Sequence, residues 1–237
     1  MAFLHLDRFM LTAAESQALF LSIEVSLTGV FCALPAALAC ALLLARRRFR
    51  GRAIAEGILS LPLVLPPVVV GYLLLITFGS HEPLGGWLLH HLGLRLAFNW
   101  KGAALAAGLI TFPFQFRAIR LSLEAIDAGL LEAAETLGAR AFDRFCNVIL
   151  PLALPGIIAG AITAFSAALG EFGAIITFVS NIPGETQTLP LAIYGALQQP
   201  GGEVEAARLA GLSILLALAG IMLAQLAERR ARAFVLG

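Results

Sequence analysis

The sequence predicts an all-α integral membrane protein with about five transmembrane helices. Three observations carry that prediction. Of 237 residues, 59% are hydrophobic and 13% are charged, with a mean hydropathy of +0.90; a soluble domain is about 45–50% apolar and about 25% charged. The apolar residues gather in runs of about 20, the length a helix needs to cross a hydrocarbon core. Finally, Lys and Arg cluster at one end of these runs, as they do on the cytoplasmic side of membrane proteins. The net charge of +1 gives no reason to expect a nucleic-acid partner.

Residues 1–16 contain Asp7 and Glu15 and lack the short apolar run and small-residue cleavage site of a secretory signal. They form an N-terminal extracytoplasmic segment, and residues 17–227 form the transmembrane domain. The first span is 18–45, with Glu24 near its outer end and Pro35 expected to bend it. Arg46, Arg47, Arg48, Arg50 and Arg52 follow as a basic loop. The second span, 54–78, has Glu56 near its start, and its centre reads LPLVLPPVVVGYLLL. Pro62, Pro66, Pro67 and Gly71 cannot belong to a straight helix, because proline removes a backbone donor and clashes with the preceding turn. Membranes tolerate such breaks where neighbouring helices or a cavity satisfy the freed groups. A kinked helix lining a subunit interface or pathway is therefore expected; the alternative is a kink that serves packing alone.

The connection 80–101 carries Trp87 and Trp100, which suit a membrane interface. His90 and His91 are adjacent, so they do not share a helix face, and no carboxylate pair or cysteine joins them in a metal site. The third span is 102–119, ended by Arg117 and Arg120. A polar segment, 124–151, leads to the fourth span, 152–169, rich in glycine and alanine that let helices approach closely in lipid. Between 171 and 199, the runs 174–179 and 189–197 are apolar but too short to span. They are re-entrant, interfacial or a broken pair. The fifth span is 209–227, and a basic tail, 228–237, closes the chain. Cys32 and Cys40 lie in the first span and Cys146 in the polar segment, so no disulfide framework is expected. If the loop after the first span is inside, 12 of the 16 basic residues are cytoplasmic and 4 are not. The N-terminus is then outside and the C-terminus inside.

The polar segment holds the most information. Residues 132–151 read EAAETLGARAFDRFCNVILP, a polar island between long apolar runs. The pattern gives a helix, a break at Gly138, a second short helix, and a span entered at Pro151. Ala133 and Ala134 favour helix and leave a low surface open to another protein. Gly138 accepts the positive φ that ends a helix. Phe142, Phe145, Val148 and Ile149 make one apolar stripe on the second helix, and Leu150-Pro151 closes the element.

Glu132-Ala133-Ala134, Gly138, Val148 and Leu150-Pro151 together resemble the signature loop of bacterial ABC-importer permeases, with valine where that family usually has isoleucine. The resemblance implies the type I importer permease fold and a cytoplasmic coupling loop that docks in a groove of an ATPase subunit. The coupling residues would be Glu132, Ala133, Ala134, Gly138, Phe142, Phe145, Leu150 and Pro151. It further implies a homodimer, two ATPase subunits and an external binding protein in a bacterial cytoplasmic membrane. The runs LPLVLPPVVVGYLLL, FRAIRLSLEAID and LGEFGAIITFVSNIPGETQTLPLAIY resemble the molybdate branch of the family. A molybdate-binding protein is thus the implied donor, with tungstate carried too. The sulfate/thiosulfate branch shares Gly170-Glu171-Phe172-Gly173 and the proline-rich second span, but Asn181-Ile182-Pro183-Gly184-Glu185-Thr186 favours molybdate.

No G-x-x-x-x-G-K-[S/T] sequence occurs, so the chain does not bind ATP through a Walker A loop and is expected to be a non-catalytic subunit without a cofactor or metal. The spans hold almost no fixed positive charge for an oxyanion, which fits a conduit whose specificity resides in a separate binding protein. Pro66, Pro67, Gly71 and Glu171 are the pathway or gating candidates. Glu171 is an ionisable group at membrane depth; a carboxylate repels an oxyanion, so a structural or gating role with a backbone or Arg partner is expected, against the alternative of a side chain facing outer water. A gradient-driven transporter would show paired intramembrane charges and inverted repeats. A membrane-embedded enzyme would need a nucleophile–base or metal constellation, and no H-E-x-x-H or G-x-S-x-G occurs.

Overall fold

The computed structural model describes residues 12–46 and 49–236. Most of the N-terminal segment, with Arg8, and Arg47 and Arg48 of the basic loop lie outside the described residues. All regular structure among the described residues is helical. Helix α1 (Ala13–Arg46) is 34 residues long and continuous through Pro35. At 1.5 Å per residue it is about 50 Å long, against a hydrocarbon core of about 30 Å, so its ends reach beyond the core. There follow α2 (Arg52–Val64), α3 (Pro67–Phe78), α4 (Pro83–Leu92), α5 (Trp100–Glu124), α6 (Ala128–Thr136), α7 (Ala141–Arg144), α8 (Leu150–Leu169), α9 (Gly173–Val179), α10 (Leu189–Leu197) and α11 (Glu203–Leu236). A π-helical turn, Phe145–Ile149, joins α7 to α8.

Among the described residues, four stretches are long and apolar enough to cross a membrane: Ala13–Ala45, Trp100–Glu124, Ala141–Leu169 and Glu203–Leu223. The pair α2 and α3 makes a fifth if read as one broken span. The second span is thus not one kinked helix. Leu65 is extended (φ −70°, ψ 142°), Pro66 is extended (φ −55°, ψ 131°), and α3 starts afresh at Pro67. The reason is local: the residue before a proline is pushed out of the α region, and the tandem Pro66-Pro67 does this to two consecutive residues. The isolated Pro35 does not break α1.

The chain forms two compact units. One comprises 12–29, Pro66–Ala107 and Leu169–Leu216; the other comprises Val30–Leu65, Gly108–Ala168 and 217–236. In the first, Ala18, Leu189, Ala192 and Leu209 form a small core, and Ser22 Oγ accepts the Leu189 N–H at 2.7 Å. The short helices α9 and α10 belong to this unit and bury Ile175, Phe178, Leu189 and Leu191. In the second unit, Ala37, Ala41, Leu44, Phe116, Ile119, Leu123, Ile149 and Ala153 pack together. Small residues set its spacing. A Cβ on Gly156 would lie 2.3 Å from Ser122 Cβ, and one on Gly160 would lie 3.1 Å from Ala118 Cβ, so α8 rests on α5 nearly backbone to backbone.

Candidate functional site

The loop between α5 and α8 is built from local rules. Asp127 caps α6, its carboxylate accepting the Gly129 N–H at 2.8 Å. At the other end the Gly138 N–H donates to Glu135 O (2.9 Å) and the Ala139 N–H to Ala134 O (3.0 Å), with Gly138 at φ +85°. This paired closure is a Schellman motif, with glycine at its left-handed position. The chain then enters α7, where Asp143 accepts the Arg140 N–H at 3.2 Å. An ion pair, Arg144 with Glu135, fastens α7 to α6.

From α7 the helix does not end before the span. It passes through the π turn into α8, so Ala141–Leu169 is one helical stretch. Here the structure corrects the sequence reading, in which Leu150-Pro151 closes the element. Pro151 cannot donate to the carbonyl four residues back and its ring crowds that turn. The wider π turn, with the Leu150 N–H donating to Phe145 O, removes the conflict without ending the helix. The expected apolar stripe also divides. Phe145 and Ile149 pack into the core of the second unit, whereas Phe142, one turn further out, is 75% exposed.

The result is an exposed tip. Glu132 and Ala133 face outward on α6. Leu137, which the sequence reading did not single out, is 88% exposed beside Gly138. Leu137 and Phe142 flank the turn as two exposed apolar side chains. Nothing in the sequence distinguishes Leu137 from a core leucine.

In the same unit, Arg52, Glu56, Arg120 and Glu124 form a closed ring of ion pairs between α2 and α5. Arg120 reaches Glu56 at 2.6 Å and Glu124 at 3.5 Å; Arg52 reaches Glu56 at 2.7 Å and also pairs with Glu124. The ring borders a cavity of about 550 Å³ that Arg117 and Ser60 also line.

The pathway candidates all fall in the first unit, where α3 packs on α9. A Cβ on Gly71 would lie 2.6 Å from Ala174 O and 2.8 Å from Thr177 Cβ; one on Gly173 would lie 2.8 Å from Pro67 Cβ. Gly71 and Pro67 thus meet α9 directly, while Pro66 stays exposed at the break. Glu171, just before α9, is buried to 8% exposure. Its Oε1 accepts the Ala174 N–H at 2.8 Å, so its partner is backbone. The loop that follows is pinned: Ser180 takes φ +65°, the Thr186 hydroxyl donates to Ser180 O and accepts from the Ile182 N–H, both at 2.9 Å. One buried charge escaped the sequence reading. Glu15, in the first turn of α1, pairs with Arg208 of α11 at 2.6 Å.

The model of the family described as "Binding-protein-dependent transport system inner membrane component" matches residues 33–233. The molybdenum transport system permease protein ModB of Escherichia coli K12 is 50% identical over 222 residues, 94% of this chain and 97% of that protein. ModB of Haemophilus influenzae is 49% identical over 216 residues, 91% and 94% of the two chains. The sulfate transport system permease protein CysT of E. coli K12 is 35% identical over 177 residues, 73% of this chain and 64% of that one. Among solved structures, a bacterial ABC transporter importing the acidic polysaccharide alginate aligns with a TM-score of 0.75 at 18% identity, covering 96% of this chain and 83% of that one. The inward-facing MetNI methionine ABC transporter aligns at 0.71 with 16% identity, covering 91% and 95%.

Proposed function

The chain belongs to the binding-protein-dependent transport system inner membrane components, and from that membership we propose that it is the permease subunit of an ATP-driven molybdate importer. The observation that carries the substrate is the 49–50% identity to two molybdenum permeases over nearly their whole length. The match to the sulfate permease is weaker and shorter. Tungstate, close to molybdate in size and charge, is carried as well.

The permease works as a homodimer with two ATPase subunits, which hydrolyse ATP, and receives its anion from an extracytoplasmic binding protein. The N-terminus is outside and the C-terminus inside. The α6–α7 tip is the coupling element: Leu137 and Phe142 seat in the ATPase, Glu132 presents charge to it, and Gly138 sets the angle of the tip. Because α7 runs into α8 without a break, a displacement of the tip moves the span as a lever. Pro66, Pro67, Gly71 and Glu171 act where α3 meets α9, on the pathway side.

Uptake of molybdate into vesicles holding this chain, its ATPase and its binding protein tests the proposal. Uptake that requires ATP, is blocked by tungstate and ignores sulfate is expected. Competition by sulfate at similar concentration would move the chain to the sulfate branch. Uptake that collapses with the ion gradient and needs no ATP would overturn the importer reading.

A further inference from the structure

A second cavity lies in the first unit, at the end of α3. It has a volume of about 700 Å³, and Leu75, Ile76, Leu89 and Phe98 supply its apolar walls, with Glu82 and Arg95 at its polar edge. That volume falls in the range of small-molecule sites, about 300–1,000 Å³.

The walls are held firmly. Gly85 of α4 is seated so closely on the end of α3 that a Cβ there would lie 2.1 Å from Gly79 O. Phe98 is held at φ +56° while 41% exposed. A bulky residue in the left-handed region is strained by about 1–3 kcal/mol and persists only where its surroundings enforce it. Held in this conformation, Phe98 is partly exposed and lines the cavity.

The chemistry is that of a headgroup above an acyl chain. Leu75 and Ile76 are in the last turns of α3, in the broken span, so the apolar end of the cavity borders the hydrocarbon. Trp87, half exposed on α4, and Trp100, at the start of α5, are residues of the membrane interface. Arg95 and Glu82 line the same cavity yet make no ion pair with each other or with any other described residue. His81 and Ser80 complete the polar edge. A separated cation and anion over an apolar slot fit a phosphate and an ammonium on one molecule better than they fit a purely anionic lipid, which Glu82 would repel.

We infer that the cavity between the end of α3, α4 and the 93–99 turn binds a zwitterionic phospholipid with a primary-amine headgroup, its phosphate on Arg95, its ammonium on Glu82 and one acyl chain against Leu75, Ile76, Leu89 and Phe98. The site requires the membrane-spanning reading of the chain but is independent of the transported anion.

Native mass spectrometry of the full chain in detergent tests this with phosphatidylethanolamine, phosphatidylcholine and phosphatidylglycerol of identical acyl chains. The ethanolamine lipid is expected to be retained about tenfold over both others, the worth of one charge-assisted hydrogen bond. Glu82→Gln, at the cavity edge, should abolish that preference, and Arg95→Gln should lower retention of all three lipids about equally, since each carries the phosphate; neither should lower the melting temperature. Equal retention of the three lipids by the unmodified chain, preference for the glycerol lipid, native preference in Glu82→Gln, or undiminished retention in Arg95→Gln would overturn the site. So would a photo-crosslinker at position 98 that captures the binding protein in membranes and no lipid, since the cavity would then be a docking face.

Discussion

Gly138 sits at φ +85° with no atom within 4 Å of where a Cβ would be. Its substitution therefore meets backbone strain and no clash, a cost of about 1–2 kcal/mol. Gly138→Asp is expected to insert and fold, yet to lose uptake and molybdate-stimulated ATP hydrolysis because the tip points elsewhere; normal uptake by that variant would remove Gly138 from the coupling element. The position was legible because few residues other than glycine close a Schellman turn. Glu171 was legible only as an anomaly, a carboxylate at the end of a span. Its actual partner, the Ala174 N–H, depends on how the chain turns into α9. Glutamine keeps that acceptor and removes the charge. Glu171→Gln should retain the fold, whereas Glu171→Leu should lose about 0.5–2 kcal/mol, the worth of a helix cap. Transport unchanged in Glu171→Gln would limit Glu171 to capping; transport lost with the fold retained would support gating. The pair Glu15 with Arg208 could not be read at all, since its members stand 193 positions apart.

At the level of elements, the π turn Phe145–Ile149 decides how the tip addresses the span. Helices turn by about 100° per residue, so deleting Asn147, which is exposed, should rotate α7 relative to α8 by about that angle. The expected outcome is a stable, inserted protein that no longer transports; crosslinking between the tip and the ATPase checks it, and native crosslinking in the deletion variant would show that the π turn does not set the tip. Sequence reasoning located the two helices and the turn between them but placed a boundary at Leu150-Pro151. Proline in sequence argues for an interruption, and only the backbone shows that an added residue in the preceding turn absorbs it. The reverse holds at Pro66-Pro67, where a kink was expected and the helix breaks outright.

Across the whole molecule, hydrophobic run length carried most of the architecture: each expected span has a counterpart among the long helices or the broken pair α2–α3. Lipid imposes this legibility, because backbone groups in hydrocarbon must be satisfied within a helix. The segment 172–199 was not legible in the same way. Its two helices are too short to cross and are buried by neighbours that lie far off in sequence. A fluorescent reporter fused to the C-terminus should light in the cytoplasm, as the placement of basic residues requires; a dark fusion with full-length expression would invert the topology. The contact of α3 with α9, made through Gly71 and Gly173, has one more consequence. Helices registered by interlocking side chains move past each other in steps, as knobs leave one set of holes for the next. At Gly71 and Gly173 the teeth are short, the neighbour being backbone or a Cβ atom, while both helices still bury large side chains, Val70 and Leu74 on α3 and Ile175 and Phe178 on α9. A small shear therefore meets little resistance at the glycines, and the larger side chains set where it stops.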